Sequence, residues 1–176
     1  MKQAFMALAL GLASSSAFAS TGGGNIQFKG EIYDGGTCPI EVIGPGGVKG
    51  SVDFEKLSTS VFMSSGVASA PKNFQLKVDR GDPTCSDASL TKAKFTFTSK
   101  EPSPGTNLFG IKSDADSATG LGIRIKDHTN TALQPGTENE YDIGTGLFNY
   151  SAELVSTGSV GEGRVLGDID ITVELI

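Results

Sequence analysis

The chain has 176 residues, with 14 Lys and Arg against 20 Asp and Glu, 24 glycines, two cysteines, one histidine and no tryptophan. That length suits one domain, or one domain behind an export signal. A formal net charge of −6 argues against a nucleic-acid partner, which needs a basic stripe against phosphates, and one histidine with two cysteines leaves almost nothing for a His- or Cys-rich metal site. No cofactor is expected, and a catalytic triad would have to use that single histidine.

Residues 1–19 read as a secretory signal peptide. Lys2 supplies the positive start, Ala4 to Ala13 form a short apolar run, and Ala17-Phe18-Ala19 has the small-x-small cleavage pattern. The run is too short to anchor the chain in a bilayer, and no other segment approaches the roughly 18 apolar residues of a membrane span. The mature chain is therefore expected to be exported, acidic and not inserted in a membrane. Export changes the meaning of the cysteines. In an oxidising compartment Cys38 and Cys85 should form a disulfide, a structural staple. Closing a loop of that length stabilises by roughly 4 kcal/mol in the chain-entropy account.

Along the mature chain, period-2 alternation recurs and helical periodicity does not. Residues 24–28, 74–78, 94–98, 121–125, 148–154 and 169–175 each alternate apolar with polar or small residues. Gly44-Pro45-Gly46-Gly47, Gly81-Asp82-Pro83, Pro102-Ser103-Pro104-Gly105 and Gln134-Pro135-Gly136 punctuate them. Short half-buried strands between Gly/Pro turns predict an all-β antiparallel sandwich, with at most a helical turn around Ala115 to Ala118. No repeat of solenoid or propeller length is present.

The two ends of the mature chain are unusual. In residues 20–30, one face carries Gly22, Gly24, Ile26, Phe28 and Gly30: two large apolar side chains flanked by positions with none. Glycine within a strand often marks a close approach by another backbone or a bulky neighbour. At the other end, Ile169, Ile171, Val173 and Leu175 share one face. A strand that apolar must be buried, or its free edge becomes an aggregation site. The two end strands can pair with each other inside one chain, or each with another chain.

These features resemble the pilin subunits of the chaperone–usher pathway, of the type 1 major fimbrial kind. The resemblance spans the mature chain: Phe28-Lys29-Gly30-Glu31-Ile32 followed by Cys38, then Pro71 to Val78 running to Cys85. It closes with Phe148, Tyr150 and Ala152, then Gly163 and a final alternating strand. Two details depart from the pattern: the penultimate residue is Leu175 where the family usually has Tyr, and Asp79 to Thr84 is longer than usual. The resemblance implies an incomplete immunoglobulin-like β-sandwich over residues 31–176, lacking its last strand and completed by a donor strand from a neighbouring subunit. Residues 20–30, through Gly22, Gly24, Ile26, Phe28 and Gly30, would be that donor. Gly163, Ile169, Ile171, Val173, Leu175 and Ile176 would form the acceptor groove and the contact with a periplasmic chaperone. The further partners implied are identical and related pilin subunits and an outer-membrane usher. The protein would be exported through the periplasm into a fimbrium on the cell surface, where the shaft supports adhesion. A minor adaptor or terminator pilin shares these features. A soluble lectin-like sandwich is the reading from another class, with few aromatic residues to stack on sugars.

Three polar motifs carry less. His128 sits in a polar turn-like stretch with no placed catalytic partner. Asp114 and Asp116 have the first spacing of a calcium loop without its glycine and closing Glu. Asn149-Tyr150-Ser151 fits a glycosylation sequon but falls within a predicted strand.

Overall fold

The computed structural model describes residues 23–30, 39–81, 83, 85–87 and 89–176. The predicted signal segment, Gly22 and Cys38 lie outside the described residues. Among the described residues nine strands follow in chain order: β1 (Gly23–Gly30), β2 (Ile40–Ile43), β3 (Ser51–Lys56), β4 (Lys72–Val78), β5 (Lys92–Ser99), β6 (Thr119–Lys126), β7 (Glu138–Asp142), β8 (Leu147–Gly161) and β9 (Val165–Leu175). They form two sheets, one of order β3-β1-β9-β5-β7 and one of order β2-β4-β8-β6. The chain is an all-β sandwich of the immunoglobulin-like kind.

Alternation explains which residues face inward. Phe74, Leu76 and Val78 of β4, and Phe148, Tyr150, Ala152 and Leu154 of β8, meet Ala93, Phe95 and Phe97 of β5 and Ile169, Ile171 and Val173 of β9 in one core. Aromatic rings cross it edge-on: Phe95 lies 4.6 Å from Phe148, and Phe97 lies 5.2 Å from Tyr150, between ring centroids. Such T-shaped contacts add to what area burial alone contributes.

All six predicted strands are present, and each extends to or beyond its predicted bounds. β8 grows most, continuing past the apolar run to Gly161 because β6 pairs along that extension. Three strands escaped the alternation reading. β2 and β3 are short, and β7 (Glu-Asn-Glu-Tyr-Asp) has one large apolar residue. β7 is an edge strand held by β5, and its charges suit an edge that must not pair further. Around Ala115 to Ala118 there is a single hydrogen-bonded turn, with the Ser117 amide donating to the Asp114 carbonyl. The Gly44–Gly47 turn is real, with positive φ at Gly46 and Gly47, a conformation that glycine adopts without steric cost.

Candidate functional site

β9 carries Val165, Gly167, Ile169, Ile171 and Val173 on its inward face, and β3 carries Val52 and Phe54 on its own. These two strands are not hydrogen-bonded to each other; β1 lies between them. Remove β1, and two rows of backbone donors and acceptors stand open above an apolar floor. Unpaired backbone groups in such a cleft are costly, so the groove demands an occupant.

β1 meets that demand from within the chain. It runs parallel to β9, setting Gly24 beside Val165, Ile26 beside Gly167, Phe28 beside Ile169 and Gly30 beside Ile171. On its other side it runs antiparallel to β3. It is the one parallel pairing among the named strands described. Within the single chain, the two end strands pair with each other.

Ile26 is wholly buried, and Phe28 is buried with its ring 4.9 Å from Phe74 of the facing sheet. The Phe28 amide also donates to the Gly50 carbonyl at 3.0 Å. Burying two such side chains contributes on the order of 1.5–3 kcal/mol each. The socket beside Ile26 depends on Gly167. A Cβ there would lie 2.3 Å from Ile123 Cδ1, so the glycine admits a side chain of the facing sheet. At Gly24 the groove is shallow: a Cβ would lie 3.2 Å from Phe54 Cβ and 3.4 Å from Val165 Cβ.

The other sequence-predicted residues are placed differently from one another. Ile169, Ile171 and Val173 are buried along the groove, while Leu175 is half-buried opposite Ala93 of β5. Ile176 is exposed, but its carbonyl accepts from the amides of Thr91 and Lys92. Gly163 stands apart, in the turn joining β8 to β9, where a Cβ would press within 2.3 Å of the Ala118 amide nitrogen. Within this chain, close packing on residues 117–118 is what requires a glycine there. Cys85 is fully buried and disulfide-bonded. The reading by alternation missed the second wall, Val52 and Phe54, and the Gly167 socket. Val52-Asp53-Phe54 does alternate, but over too few residues to stand out.

The charged groups are structural in their contacts. Asp168 is buried on β9 with Lys112 Nζ at 3.2 Å. Glu153, buried on β8, accepts from Arg124 Nε at 2.5 Å and has Lys126 Nζ at 2.7 Å. Burial pushes the Glu153 carboxyl up, and the hydrogen bonds from Lys126 and Arg124 outweigh it, holding it below the ordinary carboxylate value. Asp127 is likewise pushed up by burial, but lies below its ordinary value because the Thr129 side chain, the Thr131 and Thr129 amides and the Tyr141 hydroxyl donate to it. His128 is exposed, its ring 5.6 Å from that of Tyr141. Asp114 caps its own turn, accepting from the Ser117 hydroxyl and the Asp116 amide. Asn149 lies on β8 and accepts from Gln75 at 2.8 Å. Among the described residues, no group of three or more His, Cys, Asp or Glu could hold a metal ion. No helix there is long and apolar enough to cross a membrane.

A groove that takes a strand is thus the site. The fimbrial protein family profile matches residues 26–175. Long polar fimbria protein A of Salmonella typhimurium is 30% identical over 182 residues, covering 99% of this chain and 98% of that protein. The type-1 fimbrial protein A chain of Escherichia coli K12 is 27% identical, covering 94% and 92%. Among solved structures, the P pilus rod subunit PapA superposes with a TM-score of 0.55 at 19% identity, over 71% of this chain and 84% of that one. A chaperone–usher pilus structure gives 0.54 at 18% identity, over 85% and 93%. The chain belongs to the fimbrial protein family and is a structural pilin subunit.

Proposed function

We propose that this chain builds the shaft of a surface fimbria, each subunit's residues 20–30 filling the groove of the next. The observation that carries this reading is the seating of β1 between β3 and β9. The core is completed by a strand held in the groove between the other two. Ile26 and Phe28 are the plugs. The pattern Gly24, Ile26, Phe28, Gly30 reads glycine–large–large–glycine from either end. A strand of this composition therefore offers the same two plugs whichever way it enters, which suits one segment to its own groove and to a neighbour's.

A donor at one end and an acceptor elsewhere form a heterologous contact, and such contacts generate open filaments when the rotation does not close. Before assembly, a periplasmic chaperone fills the groove formed with Ile169, Ile171, Val173 and Leu175 and contacts Ile176; an outer-membrane usher directs the exchange. Residues 1–19 are removed on export. Cys38 is the partner of Cys85, since the sequence holds two cysteines and Cys85 is disulfide-bonded. The protein performs no catalysis and needs no cofactor.

The test is gel migration of the exported protein in SDS, unheated against boiled, with electron microscopy of the same sample. Strand-exchanged polymers resist cold SDS and give a ladder that collapses on boiling, with filaments visible. A monomer band in both lanes and no filaments overturns the reading.

A further inference from the structure

We propose that the outer face of the β2-β4-β8-β6 sheet carries a binding site for an uncharged oligosaccharide. The site is built within one subunit and belongs to the sheet opposite the strand groove, so it stands or falls independently of the strand-exchange reading.

Alternation builds its floor. Phe74 and Tyr150 turn into the core, so their neighbours on β4 and β8 point outward. Pairing sets Asn73 opposite Ser151 and Gln75 opposite Asn149, four uncharged polar side chains on two adjacent strands. The Gly44–Gly47 turn after β2 and the Asp127–Asn130 turn after β6 line the hollow above them, about 610 Å³ in volume and of a size with small-ligand sites. Each turn is braced from within: the Gly47 amide donates to the Gly44 carbonyl, and the Asn130 amide to the Asp127 carbonyl, both at 3.0 Å. A second hollow of about 450 Å³ shares His128 and Asn149 with the first and runs on to Leu147. Together they offer room for more than one sugar ring.

The lining selects the ligand. No Lys or Arg lines the first hollow, and its one carboxylate, Asp127, already accepts from the Thr129 and Thr131 amides and from the Thr129 and Tyr141 hydroxyls. An anion finds no counter-charge there, and a cation finds a carboxylate already engaged. β4 and β8 are each paired on both sides, so neither can take up an added peptide strand. Amides and hydroxyls remain. Among the described residues the four floor side chains share one hydrogen bond, from Gln75 Nε2 to Asn149 Oδ1 at 2.8 Å, which leaves Gln75 Oε1 to accept and Asn149 Nδ2 to donate. A side-chain amide offers both functions, and so does a sugar hydroxyl. Pro45, His128 and Leu147 are exposed at the margins, apolar surface for the C–H face of a sugar. An open site of this kind binds weakly, and repetition along a filament raises avidity without any new contact.

The mature monomer is screened against immobilised neutral di- to tetrasaccharides of glucose, galactose, mannose and N-acetylglucosamine, with sialylated and sulfated oligosaccharides as charged controls. At least one neutral oligosaccharide should retain the protein. Titrated into isotope-labelled monomer, it should shift the side-chain amide signals of Asn73, Gln75 and Asn149. Asn73→Ala and Asn149→Ala, both at exposed positions, should each weaken binding about tenfold, the loss of one or two hydrogen bonds. Thr172→Ala, exposed on the other sheet, should leave it unchanged. No retention by any neutral oligosaccharide, retention by charged ones alone, no shift at those three amides, or full binding by both Asn variants overturns the site. SDS-resistant ladders should form in all three variants, so failure here leaves the shaft reading intact.

Discussion

β1 and β8 are both strands flanked on two sides, yet the chain holds them in different ways. β8 runs down the middle of its sheet, paired antiparallel with β4 and β6. The segment before β4 is stitched to it as well: Ser69 bonds Leu154 through both amide and hydroxyl, and the Ser156 hydroxyl accepts from the Val67 amide. Glu153 then ties β8 to β6 through Arg124 and Lys126. β1 is also flanked on both sides, but its side-chain burial rests on two large residues, Ile26 and Phe28. The difference teaches how a sandwich can be permanent in one sheet and exchangeable in the other. The exchangeable strand concentrates its burial in a few plugs and leaves the rest as glycine and polar residues, so that it can be replaced as a unit.

The sharpest way to break this comparison is Phe28→Asp. A charge in the socket beside Phe74 and Ile169 cannot be solvated there, so filaments should be lost altogether by electron microscopy while β2–β9 still folds with a chaperone. Normal filaments from this variant would remove Phe28 as a plug. In the permanent sheet, Ile125→Ala should do the opposite. It empties a fully buried position of β6 and should lower stability by about 3 kcal/mol in urea denaturation, while filaments still form. If filaments disappear although the subunit remains folded, the two sheets are not separable in function.

The smallest effect is electrostatic. The folded-state value of Glu153 is depressed below the ordinary 4.5, so its ion network stabilises above about pH 4.5. That stabilisation is lost as pH falls through the folded value. Comparing urea midpoints of the native protein and Glu153→Gln at pH 7 and at pH 3, the gap should shrink at the lower pH. A gap that stays constant would mean the carboxylate charge contributes nothing. Filament formation should be indifferent to this change, because Glu153 lies in the other sheet.

Much of this was legible because alternation is a local property. Ile26 with Phe28, and Ile169 with Ile171 and Val173, announce one-sided burial from sequence alone. β7 was not legible, since Glu138, Glu140 and Asp142 carry no apolar period and the strand exists because β5 offers it an edge. The family resemblance grouped Gly163 with the groove and the chaperone contact. Only packing showed that it answers to Ala118. Gly167 was silent for the same reason: a glycine's purpose lies in what comes close to it, here Ile123.

The sequence by itself determined the all-β class, the family resemblance and the one-sided burial of Ile26 and Phe28, because strand period and side-chain type are written residue by residue. Tertiary structure alone decided that β1 runs parallel to β9 and that β3 forms the second wall. Those are matters of pairing between segments far apart in the chain. A period of two tells a strand that it has two faces, but not which neighbour it will meet or in which direction.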